Sequence, residues 1–137
     1  MRVLFDGAAL TPWRTGVFGD PPDYELDEDG VVLPQVASLS GMTFTGEAPR
    51  PPYELCVEAT KRYGADFFLG VTFPVRDAHL TLVLGGWGGA VTGLSCIDGL
   101  DASENDTRTW HDYPNGKRQR VVIRVDAARV PATVDGA

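Results

Sequence analysis

From Tyr53 to Thr60 the chain alternates without a break. Tyr53, Leu55, Val57 and Ala59 are interleaved with Glu54, Cys56, Glu58 and Thr60. A period of two sends the first set to one side of an extended strand and the second set to the other. This is the pattern of an antiparallel strand with one face on a core and one in water, and it places Cys56 on the more polar face. The i, i+3, i+4, i+7 apolar spacing of an amphipathic helix is sustained nowhere over a helix length, whereas alternation recurs. Phe67 to Val75 is more continuously apolar and predicts a strand covered on both faces; Ala78 to Leu84 follows it, with Arg76-Asp77 as the turn. Ala90 to Ile97, Val121 to Val125 and Val130 to Val134 predict further short strands. Tyr113-Pro114-Asn115-Gly116 is a turn, since proline presets one corner and Asn-Gly tolerates positive φ at the other. Asp29-Gly30 predicts a two-residue hairpin turn between Tyr24–Leu26 and Val31–Leu33. Ala48 to Pro52, with its three prolines, predicts a connector. About nine or ten short strands at regular spacing predict an all-β fold, an antiparallel sandwich or barrel.

The remaining bounds are set by size and charge. At 137 residues the chain predicts a single domain, 1–137, able to bury about 68% of its unfolded surface without staples. Twelve Lys and Arg against nineteen Asp and Glu give a net charge of −7, and no basic stripe spans a face, which argues against nucleic acid as a partner. No run of about 18 apolar residues is present, which argues against a membrane-spanning helix. The opening MRVLFDGAAL carries one arginine and an apolar stretch too short for a signal-peptide core, so location stays open between a cytoplasmic chain and one lacking its leader. Cys56 and Cys96 make no disulfide framework and no zinc spacing; one disulfide and two free thiols both fit. The chain ends on Asp135-Gly136-Ala137, which reads as the start of a hairpin turn. The returning strand would then come from chain beyond Ala137 or from a partner, and an open edge there invites self-association.

The densest chemistry lies in DFFLGVTFPVRDAHLTLVLGGWGGAVTGLSCIDGLDASEN, residues 66–105. Gly85, Gly86, Gly88 and Gly89 ring Trp87. Each glycine loses more backbone entropy on ordering than any other residue would, so such a run marks a bend, a bulge or a close approach to a ligand. Asp98, Asp101 and Glu104 follow in a polar loop.

These residues resemble a known family. LFDGAALTPW resembles the LFDG-x-x-L-x-x-W opening of 3-keto-disaccharide hydrolase domains. The 66–105 stretch closely resembles a planctomycete-type bacterial branch of that family, and NGKRQRVVIRVDAARVPATVDG resembles the stretch that follows in it. The likeness covers nearly the whole chain. It implies a concanavalin-like jelly roll, incomplete here at its C-terminal edge because the family domain continues with closing strands. There are departures. Leu69 stands where the branch often has cysteine, Cys96 where it often has serine, and Arg118-Gln119 where a Trp-Tyr pair is usual. By resemblance the activity is cleavage of the glycosidic bond of 3-keto-disaccharides or related glycosides. A 3-keto group acidifies the neighbouring C–H, so elimination followed by hydration becomes accessible. That chemistry needs a base and a group that polarises the ketone.

Candidate residues each carry two readings. Trp87, with Gly86 and Gly88, is a saccharide-stacking platform, since an indole face packs against the apolar face of a pyranose; otherwise it is a core aromatic at a glycine bulge. Trp110 and His111 fall on opposite sides of the TRTWHDY segment. Trp110 is a second aromatic ligand contact, and His111 is a general acid or base, because imidazoles as a class exchange protons near neutrality; otherwise both are surface residues. Glu104 is the carboxylate candidate beside His111. Asp98, Asp101 and Asp106 offer hard oxygen ligands for Ca²⁺, or else they cap the loop through Asx turns. Glu54 and Glu58 share a strand face about 13 Å apart, too far for a catalytic pair, while Asp66 could serve only if folding brings it close. Trp13 reads as a core residue. Three functions follow: an enzyme acting on oxidised glycosides, a non-catalytic, lectin-like saccharide-binding module, or an interaction domain with the open C-terminal edge as its docking strand.

Overall fold

The computed structural model describes residues 4, 13–17, 25–27, 30–33, 40–64, 66–75, 78–95, 99–126 and 130–134. Among these residues there are eleven strands and no helix. The chain divides into two compact units, Met1–Ala48 and Pro49–Ala137. The boundary falls on the proline-rich connector expected there, which contains a cis Pro51-Pro52 bond.

The first unit pairs β1 (Trp13–Val17) with β4 (Ser40–Phe44), and β2 (Glu25–Asp27) with β3 (Gly30–Val32), both antiparallel. Trp13 and Phe44 stand opposite each other in that register, with ring centroids 5.2 Å apart. The Trp13 indole donates to the Leu4 carbonyl at 2.7 Å, so the polar end of a half-buried ring finds its partner. The hairpin is offset by one residue from the expected turn. Asp27 pairs with Gly30, which puts Gly30, at φ 126°, inside the strand; Asp29 lies outside the described residues.

The second unit is an antiparallel β-sandwich. One sheet runs β11 (Ala132–Val134), β10 (Arg118–Val125), β5 (Tyr53–Thr60). The other runs β6 (Leu69–Val75), β7 (Ala78–Gly86), β8 (Val91–Ser95), β9 (Thr109–Trp110). Their inward faces share one core. Phe73, Leu82 and Leu84 come from the four-stranded sheet, Val121, Ile123, Val125 and Val134 from the three-stranded sheet, and Tyr113 from the segment leading into β10. Tyr53 ties the sheets by donating to the Pro74 carbonyl at 2.5 Å.

The alternation expected of 53–60 holds residue by residue, with Tyr53, Leu55, Val57 and Ala59 half-buried and Glu54, Cys56, Glu58 and Thr60 exposed. The outer face of this sheet is a cross-strand ladder. Arg124 bonds Glu54 at 2.9 Å, Arg118 bonds Glu58 at 2.5 Å, and the Arg120 Nε donates to the Cys56 thiol at 3.2 Å. All three contacts are exposed, and solvent-exposed pairs of this kind contribute little to stability. Cys56 is a free thiol; Cys96 lies outside the described residues.

One expectation needs correction and others fall outside the described residues. Phe67 and Phe68 precede the strand, and β6 is covered on one face only. Gly70 and Thr72 are exposed while Leu69, Val71 and Phe73 face the core shared with the other sheet, since the opposite sheet packs on one face of the strand only. The Arg76-Asp77 turn and the terminal residues 135–137 lie outside the described residues, as does residue 98. Gln119 occupies an inward position on β10 with 1% exposure, opposite Ala59, and neither its amide nitrogen nor its amide oxygen has a hydrogen-bond partner.

Candidate functional site

The β7–β8 connection shows what the four glycines do. Val83 pairs with Gly93 and Gly86 with Val91, so β7 carries one extra residue, a bulge. Gly85 takes φ 69° at that bulge, and a Cβ there would come within 3.2 Å of the Gly89 carbonyl and the Tyr113 ring. Gly86 is buried, and a Cβ on it would lie 2.8 Å from the Phe67 ring. Residues 87–90 then make the turn, closed by a Gly89 N–H to Gly86 carbonyl bond of 3.3 Å. Gly88 and Gly89 have φ of 93° and 100°.

Trp87 sits in the middle of this turn at φ 46°, the one non-glycine residue with positive φ among those described. A bulky side chain in the left-handed region costs about 1–2 kcal/mol, and a glycine would adopt it freely. The indole is held in place and 39% exposed. Phe67 packs on it at 5.2 Å between centroids, tilted by 52°. Asp66 fixes the pair from below: its Oδ1 accepts from the Phe67 N–H and from the Gly88 N–H, each at 2.9 Å. The aromatic pair is therefore clamped through its backbone, with the indole part-exposed. The turn is a glycine bulge, as one of the two readings had it, but its tryptophan is exposed and not core.

Beside the turn lies an open cavity of about 480 Å³ lined by Lys61, Gly88, Gly89, Ala90, Asp112, Tyr113 and Pro114. Tyr113 forms its wall; it is buried, packs on Phe68 at 5.4 Å, and shares a 2.6 Å hydrogen bond with Thr92. Lys61 is brought there by the end of β5, where its carbonyl accepts from the Gly116 N–H at 2.8 Å. Gly116 has φ 84°, as the Asn-Gly turn requires.

His111 does not line the cavity but contacts two residues that do. Its N–H bonds the Ala90 carbonyl at 3.0 Å and its ring packs against Tyr113 at 4.7 Å. Trp110 is 68% exposed, with the Arg108 guanidinium 5.7 Å above its ring. Glu104 belongs to the 99–108 loop, exposed, with its N–H on the Asp101 carbonyl. Among the described residues no hydrogen bond or ion pair joins Glu104 to His111.

The acidic loop is held by its own side chains. Asp101 Oδ1 accepts from both the Ser103 N–H and the Ser103 hydroxyl. Buried Asn105 donates to the carbonyls of Leu94 and Leu100 and accepts from the Thr107 N–H. Thr107 in turn accepts from the Leu94 N–H at 2.9 Å, which fastens the loop across Gly93. Asp106 is exposed, and Asp98 lies outside the described residues. Among the described residues no group of three or more His, Cys, Asp or Glu side chains is placed to share a metal ion.

Of the residues singled out from sequence, Gly88 lines the cavity, while Lys61, Asp112 and the Asp66 clamp on the turn were not singled out for those places. The cavity residues carry no motif, being scattered along the chain and joined only by the fold. No family model, curated protein or solved structure matches this chain.

Proposed function

We propose that this chain is a carbohydrate-binding β-sandwich domain whose ligand stacks on Trp87 and extends into the adjoining cavity. The observation that carries the reading is Trp87 itself. An indole held at φ 46° in a glycine-rich turn and left 39% exposed is a costly conformation of the kind that clusters at ligand sites. The cavity mixes an aromatic wall with a few polar groups, which suits an amphipathic sugar. Isothermal titration against a panel of neutral mono- and disaccharides tests it. Binding that Trp87→Ala weakens roughly tenfold, about 1.4 kcal/mol, is the expected result. A folded wild type that binds no saccharide of the panel at millimolar concentration overturns the reading.

A second reading, cleavage of 3-keto-disaccharides, is the activity implied by the resemblance in residues 66–105. His111 favours it, because its ring packs on the cavity-lining Tyr113 and imidazoles as a class serve as general acids and bases. Turnover of a 3-keto-disaccharide that His111→Gln abolishes is the result expected of this reading; no turnover by folded protein refutes it.

A further inference from the structure

Two opposite charges line the cavity without being used by the fold. Lys61 rises from the end of β5, and Asp112 comes from the segment between β9 and β10. Among the described residues neither side chain has an ion-pair or hydrogen-bonding partner, and they are not within ion-pair distance of each other. Gly88 and Tyr113 also line the cavity, and a Cβ added at Gly88 would meet nothing within 4 Å, so there is open space around the turn.

An ammonium only donates hydrogen bonds, and an ionised carboxylate only accepts them. Whatever occupies the cavity must therefore present donors to Asp112 and an acceptor to Lys61. One positive and one negative head leave the cavity without net charge, in a chain whose total is −7, which disfavours an anionic ligand. We infer that Lys61 and Asp112 are the specificity-determining pair for an uncharged polyhydroxylated ligand. Asp112 reads free hydroxyl groups; Lys61 takes either a hydroxyl or a carbonyl oxygen. The inference rests on the saccharide reading above and adds a polarity to it. Oxidation of a hydroxyl to a ketone is tolerated on the Lys61 side of the sugar and rejected on the Asp112 side, because a ketone has no proton to give.

The test uses the whole chain and titration calorimetry. The probes are glucose, sucrose, trehalose and cellobiose with their mono-O-methyl and mono-keto derivatives. The expected result has three parts. At one position both the keto and the O-methyl derivative bind about tenfold more weakly than the parent sugar, the scale of one hydrogen bond to a charged group. Asp112→Asn restores the keto derivative there, since an amide can donate. Lys61→Met weakens the parent sugar and the keto derivative tolerated at the other position by a similar factor, while Lys61→Arg retains both. Both side chains reach solvent, and unchanged thermal melting confirms that the variants fold. Parent sugars that bind Asp112→Asn and Lys61→Met with wild-type affinity and selectivity overturn the inference and leave the saccharide reading standing. A folded wild type that binds no parent sugar overturns both.

Discussion

Gln119→Met should make this protein more stable. The glutamine is 1% exposed on the inward face of β10, its cross-strand neighbour is Ala59, and both its amide atoms are buried without a partner. Burying an amide that loses its water and gains no protein bond costs about 1–3 kcal/mol by protein mutational measures. Methionine follows the same unbranched path with an apolar end, and its flexibility lets it fill the site. The small difference in volume costs under about 1 kcal/mol. The net expectation is a gain of about 1–2 kcal/mol, which for a chain of this size raises Tm by about 4–8 °C. Thermal melting followed by circular dichroism reads the shift. A urea titration should show a higher midpoint with unchanged slope, the mark of a stability change alone. A lower Tm for Gln119→Met would refute the reasoning, because it would mean that an ordered water or a polar neighbour satisfies the amide.

Two further expectations concern the ties that hold the sandwich and its turn. Burial pushes the Tyr53 hydroxyl above its ordinary pKa of 10.0. Its contribution to stability is therefore fully present below the unfolded value and lost as pH rises through the folded one. Alkaline unfolding of the wild type should steepen above pH 10 relative to Tyr53→Phe, and identical alkaline limbs would remove Tyr53 from the account. Asp66→Ala removes the acceptor shared by the Phe67 and Gly88 N–H groups. It should cost about 1–2 kcal/mol, speed amide exchange at Gly88, and weaken saccharide binding at Trp87; unchanged exchange at Gly88 would show that the turn holds itself.

Much of this architecture is local and was legible in the chain. Alternation at 53–60 assigned each side chain its face, Cys56 included, because the period of a strand is a property of the backbone. The proline-rich 48–52 segment marked the unit boundary, since prolines cannot donate to a sheet ladder. Asn115-Gly116 and the glycines around Trp87 announced positive φ, since only glycine takes those angles without strain. What the pattern could not carry was everything that depends on which strands become neighbours. Phe67 to Val75 read as doubly covered from its composition, yet Gly70 and Thr72 are exposed, because the facing sheet packs on one side of β6 only. Gln119 read as a departure from an aromatic pair, and its unpartnered burial appears only once β5 and the facing sheet enclose it. Lys61, Asp112 and the Gly88 turn meet in one cavity because β5 ends where the β7–β8 bulge bends the chain. Sequence spacing encodes faces and turns through short-range sterics. The juxtaposition of distant side chains is decided by strand order and register, which long-range packing alone sets.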